Sequence, residues 1–153
     1  MTTFAAAETA LLAELKDRID ALTPQSEPSK RFKTRLDSDK SLREMAKSFG
    51  IPRLFDILPG RRVGAAAMGN AHAFPIYEYD VQVIYPTQTQ HWVTSALSDA
   101  EIIKHAFLSN NVTVSGVQQR WCRNDSSVII EADPSDPWMT LTLTITVYYD
   151  VTF

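Results

Sequence analysis

The last fifteen residues, "MTLTLTITVYYDVTF", alternate without a slip. Leu141, Leu143, Ile145, Val147, Tyr149, Val151 and Phe153 hold one parity, and Thr140, Thr142, Thr144, Thr146, Tyr148, Asp150 and Thr152 hold the other. Strand side chains point to opposite faces with period two, so this pattern predicts a long strand with one buried face and one threonine face. Only Asp150 places a charge on the threonine face to discourage pairing with another chain. That face is expected to be covered by the rest of the fold or by a partner. "PIYEYDVQVIYP" repeats the alternation, with Tyr77, Tyr79, Val81, Val83 and Tyr85 against Glu78, Asp80, Gln82 and Ile84.

Helical spacing appears three times. Phe4, Leu11, Leu12, Leu15, Ile19 and Leu22 form one stripe over about 3–22, closed by "TP". In "SLREMAKSFG", Ser41 and Glu44 have capping-box spacing, Leu42, Met45, Ala46 and Phe49 form the inward stripe, and Gly50 suits a left-handed C-cap. A third helix is read in "LSDAEIIKHAFLSNN", with a second capping box at Ser98 and Glu101, a staple between Leu97 and Ile102, and an inward face of Ile102, Ile103, Ala106 and Phe107. "IPRLFDILPG", "VTVSGVQQRWC" and "SVIIEAD" read as shorter extended segments. "PQSEPSKRFKTR" reads as a polar linker or mobile arm, and the small-residue stretch at about 60–73 as a mobile loop. The expected fold is α+β: a mainly antiparallel sheet packed against helices, in a single domain over 1–153 with a basic helical insert at about 30–62.

Charge sharpens this picture more than composition does. The net charge is −3, yet residues 30–62 carry ten Lys or Arg (Lys30, Arg31, Lys33, Arg35, Lys40, Arg43, Lys47, Arg53, Arg61, Arg62) against four acids. Residues 63–153 carry three basic residues against nine acids. A split of this kind can bind nucleic acid or join copies of one protein head to tail. No apolar run approaches the roughly 20 residues of a membrane span. The first residues lack a basic n-region, and Glu8 and Glu14 interrupt the apolar stretch, which argues against a signal peptide. The single cysteine, Cys122, fits a reducing compartment and an inert thiol.

Catalytic signatures are lacking. His72, His91 and His105 have no second His or Cys at metal-ligand spacing, and "GRRVGAAAMGN" has neither a dinucleotide fingerprint nor a GK[ST]. Asp133 and Asp136 flank a Pro turn, where Asp is favoured by turn geometry. No enzyme activity, metal or cofactor is expected.

The leading helix, the aromatic alternating strand "YEYDVQVIYP", the acid-started helix and the final "WMTLTLTITVYYDVTF" resemble the tail terminator and neck (head-tail joining) proteins of long-tailed bacteriophages. The resemblance covers about residues 70–153 and the first helix. The basic stretch at 30–62 departs from it. It implies a structural virion protein, assembled in the host cytoplasm, that forms a homo-hexameric ring in the tail-neck region. Its implied partners are copies of itself, the tail tube protein and a head-completion or connector protein, with DNA passing the channel. Under this reading, Thr140, Thr142, Thr144 and Thr146 form a subunit interface on a terminal strand kept at the sheet edge. Lys30, Arg31, Lys33, Arg35, Arg61 and Arg62 then face a partner or DNA. The alternative reading is a nucleic-acid-binding or adaptor module that uses the basic 30–62 insert.

Overall fold

The computed structural model describes residues 4–35, 40–58, 61–67, 73–86, 90–109, 113–114, 117–122, 127–132, 135 and 137–151. The elements run α1 (Phe4–Asp20), β1 (Lys33–Thr34), α2 (Leu42–Phe49), β2 (Leu54–Ile57), β3 (Arg61–Ala67), β4 (Ala73–Tyr85), α3 (Gln90–Ser109), β5 (Thr113–Val114), β6 (Val117–Cys122), β7 (Ser127–Ala132) and β8 (Met139–Val151). The fold is α+β, with one eight-stranded sheet in which β1 and β2 supply the parallel pairing.

The two alternating segments become the two long central strands. They pair antiparallel from Ile76 opposite Tyr148 to Tyr85 opposite Met139. Each carries two short strands in tandem along its outer edge. β2 and β3 share the edge of β4, and β7 and β6 share the edge of β8. The greasy parity of both central strands faces α1 and α3. Tyr77, Tyr79, Val81, Val83, Tyr85, Leu141, Leu143 and Ile145 pack there with Leu11, Leu15, Ile19, Trp92, Ala96 and Ile103. Full burial of side chains of this size contributes about 1.5–3 kcal/mol each, so this layer dominates the stability of the fold.

Among the described residues, helix covers the opposite face at one end. Leu42, Met45 and Ala46 of α2 pack there on Leu54 and Ile84. That explains why Ile84 stands among the polar positions of its strand. Ser41 accepts a hydrogen bond from the Glu44 backbone N–H at 3.2 Å. Gly50 closes the helix at φ 61°, and its N–H donates to the Ala46 carbonyl at 2.8 Å. Phe49 departs from the expected inward stripe: it is 60% exposed and lies beyond the small apolar footprint that α2 covers.

Four further expectations are corrected. The terminal strand is not at the sheet edge, because β4 pairs along one side of β8 while β6 and β7 pair along the other. The stretch expected as a loop at about 60–73 is a strand over Arg61–Ala67, since the first half of β4 offers an edge that small residues fill as well as large ones. Residues 68–72 lie outside the described residues. α3 begins at Gln90, two turns ahead of the expected cap, because Trp92 and Ala96 extend the stripe of Ala100 and Ile103. Ser98 is therefore a mid-helix residue that bonds Gln25 Oε1 at 3.2 Å, not an N-cap. Finally, the basic stretch at 30–62 is woven into the sheet through β1 and β2, and Phe32, Phe55 and Ile57 lie in the main core.

Candidate assembly surface and its support

The threonines of β8 share a face with the residues directly opposite them on β4 and β7. Thr140 stands between Ile84 and Glu131, Thr142 between Gln82 and Ile129, Thr144 between Asp80 and Ser127, and Thr146 opposite Glu78. Two of the four are already engaged within the subunit. Thr140 is buried and accepts a 3.3 Å hydrogen bond from Arg43 Nη2, while Thr144 Oγ1 donates to Asp80 Oδ1 at 2.7 Å. Thr142 and Thr146 are half-buried. Beside Thr142, Ile129 is 53% exposed, so this part of the sheet presents polar hydroxyls bordered by an uncovered branched apolar side chain.

Three of the six expected basic contact residues have partners within the subunit. Lys30 pairs with Glu27 at 3.4 Å and lies 5.3 Å from the centre of the Trp92 ring. Arg31 Nη2 donates to the Ala21 and Leu22 carbonyls at 3.0 and 3.4 Å, satisfying acceptors just past the end of α1. Arg35 pairs with Asp56 at 3.7 Å. Lys33 is exposed on β1, and Arg61 and Arg62 open β3, so these three sit in strands on the β1–β3 side of the sheet. Half of the expected surface is thus bonded internally.

Sequence reasoning missed the most constrained group in the protein. Arg53 and Asp99 are completely buried and form an ion pair at 2.7 Å from Nε to Oδ2, with Nη2 to Oδ1 at 3.4 Å. The remaining guanidinium N–H groups donate to the carbonyls of Ser26 at 2.7 Å, Lys30 at 2.9 Å and Glu27 at 3.2 Å. All five donors of the side chain are therefore used. Tyr85 donates to the same Asp99 oxygen at 2.7 Å, and Phe32 and Trp92 flank the guanidinium at 5.8 and 5.5 Å. This one side chain pins the 26–30 segment, expected as a mobile arm, to α3 and β4. Arg53 holds a left-handed backbone at φ 57°, a conformation that costs a non-glycine residue about 1–3 kcal/mol and persists only when its surroundings impose it. An arginine inside the apolar run "IPRLFDI" was the available signal; nothing near it in sequence named its partner.

Burial raises the Tyr85 phenol well above its ordinary value, and the neighbouring Asp99 charge adds to the shift. Burial also pushes the Asp99 carboxyl up, opposed by the bonds from Arg53 and Tyr85. A raised phenol keeps its proton in the folded chain where the unfolded chain has lost it. Its stabilising contribution is whole below about pH 10 and is lost as pH rises through the raised value. Tyr85→Phe is expected to lower stability by about 1.5–3 kcal/mol at neutral pH, as for a hydrogen bond to a charged group. The gap between wild type and variant should narrow above about pH 10. Urea midpoints of both proteins across pH test this, and a constant gap contradicts it.

Among the described residues, no group of three or more His, Cys, Asp or Glu could hold a metal, and no helix is long and apolar enough to cross a membrane. His91 is exposed on α3, 3.4 Å from Glu27, and His105 is exposed further along the same helix. His72 lies outside the described residues. What the fold defines is an α+β sheet domain with one helix-covered face and one half-covered face. No protein-family model matches the chain, and no curated protein matches it. Among solved structures, the chain is similar to a protein chain in the virion of a native gene transfer agent particle. The TM-score is 0.65 at 12% identity, over 96% of this chain and 98% of that one.

Proposed function

We propose that this chain is a structural virion protein of the tail-neck region, a tail terminator or neck component that forms a homo-oligomeric ring. Such a ring caps the tail tube and joins it to a head-completion or connector protein. The observation that carries this reading is the end-to-end match of its fold to a chain of a gene transfer agent virion, with nearly nothing left over in either chain. The half-covered sheet face supports it. Thr142 and Thr146, bordered by exposed Ile129 and by half-buried Asp80 and Glu78, form a mixed surface of hydroxyls, carboxylates and one apolar side chain that a neighbouring protein can cover. Thr140 and Thr144 back that surface from within through Arg43 and Asp80. The nucleic-acid reading loses support, because Lys30, Arg31 and Arg35 already have internal partners.

The test is the mass of the purified protein by light scattering, with negative-stain images. Ring-shaped particles at a multiple of the 17.2 kDa subunit are expected. Thr142→Lys with Thr146→Lys should keep the helical signal and unfolding midpoint of wild type, yet lose assembly, because like charges then meet a neighbour at a desolvated surface. A wild-type protein that stays monomeric at all concentrations, and with tail tubes added, would overturn the reading.

A further inference from the structure

β7 is bonded on one side only. Among the described residues its ladder runs to β8, and it lies off the main path of the sheet. It is also open above and below: Val128 and Ile129, which point to opposite faces, are 36% and 53% exposed. An edge strand of branched apolar residues with neither lysine nor proline is a template for another strand, which proteins protect unless they use it. β3 occupies the other flank of the sheet and likewise pairs on one side, with β4. The two edges differ in charge. β3 begins with Arg61 and Arg62, whereas β7 carries exposed Glu131 and runs on towards Asp133 and Asp136.

We infer that β7 of one copy pairs antiparallel with β3 of the next, so that the sheet continues from subunit to subunit around the ring. The inference rests on the ring reading above and assigns its contact. Strand direction supports it. β3, β4, β8 and β7 are linked by three antiparallel steps, so β3 and β7 run in opposite directions. Rotation about an axis that keeps strand direction brings β7 beside the next β3 in antiparallel sense, the arrangement a head-to-tail contact requires. With that sense, and with the register shift between Arg62 and Gly64 counted, Arg61 can stand opposite Glu131 on the threonine face while Gly64 and Ala65 stand opposite Ile129 and Val128. Opposite charges then meet at one end, and small residues receive branched ones at the other. β1, with two residues, is too short to be the partner strand.

Register adds a geometric consequence. β3 lies against Ala73–Glu78 of β4, and β7 lies against Met139–Thr144 of β8, which stands opposite Asp80–Tyr85. In that register Gly64, level with Ile76, meets Ile129, level with Gln82, so each subunit steps six residues along the strands, or about 20 Å at about 3.3 Å per residue. Each subunit contributes about four strand spacings of about 4.8 Å to the circumference, so closure inclines the strands about 46° to the ring axis. That lies at the upper end of the roughly 35–45° typical of closed barrels.

Charge exchange tests the pairing on the full chain. Glu131→Arg alone, and Arg61→Glu with Arg62→Glu, should each bring the scattering mass down to the 17.2 kDa monomer while circular dichroism and the thermal midpoint stay those of wild type. The three substitutions together should restore the ring, because the charges again oppose. Rings from both partial variants at wild-type concentration, or a combined variant that stays monomeric, would overturn the pairing while leaving the ring reading intact. A wild-type protein that never assembles removes the ring itself and the inference with it.

Discussion

Asp99→Ala is expected to destabilise the subunit by about 3–5 kcal/mol, the effect of leaving a buried charge without its partner. Arg53 is fully buried, and its other donors all go to neutral carbonyls, so loss of the carboxylate leaves no anion near the guanidinium among the bonds described above. Domains of this size have total stabilities of about 5–15 kcal/mol, so the loss is a large share of the whole. Tyr85 loses its acceptor at the same time. The measurement is the urea midpoint at neutral pH, with the slope checked to be that of wild type. Replacing both members, as Arg53→Met with Asp99→Leu, should cost less than the sum of the single changes, because neither charge is then stranded. Equal additivity would show that the pair is not coupled. The expected first consequence of breaking it is release of residues 26–30, seen as faster amide exchange there than in the central strands.

Leu143→Asp is expected to prevent folding altogether. Leu143 is fully buried between Val81 on β4 and Val128 on β7, within the layer that α1 and α3 cover. A carboxylate there loses the transfer energy of the leucine and has no counter-charge in the apolar layer, so the penalty exceeds what a domain of this size can absorb. The expected product is insoluble, or soluble with a collapsed near-ultraviolet signal. The neighbouring Thr142→Lys, one residue away on the opposite parity, should fold. That contrast separates the two faces of a single strand. A well-folded Leu143→Asp subunit would mean that the greasy parity of β8 does not face the core.

The sequence by itself determined the elements whose signal is local and periodic. β4 and β8 were legible because nine or more consecutive residues kept period two, and their apolar parity is the observed core. α2 was legible down to its caps, since the Ser41 hydrogen bond and the left-handed Gly50 involve residues at most four positions apart. Long-range placement was beyond its reach. Nothing in the alternation of β8 said that both of its edges were taken, because edge pairing is a property of other strands and not of the strand itself. "RRVGAAA" read as a loop because small residues leave no pattern, while the backbone ladder that makes it β3 carries no side-chain signature. The threonine face looked uniform in sequence. Only the fold divided it, giving Thr140 and Thr144 to internal partners and leaving Thr142 and Thr146 half-covered. Arg53 shows the same division most sharply: its partners lie up to 46 residues away, and the tertiary structure alone decides whether an arginine in an apolar run is solvated or closed in by its own hydrogen bonds.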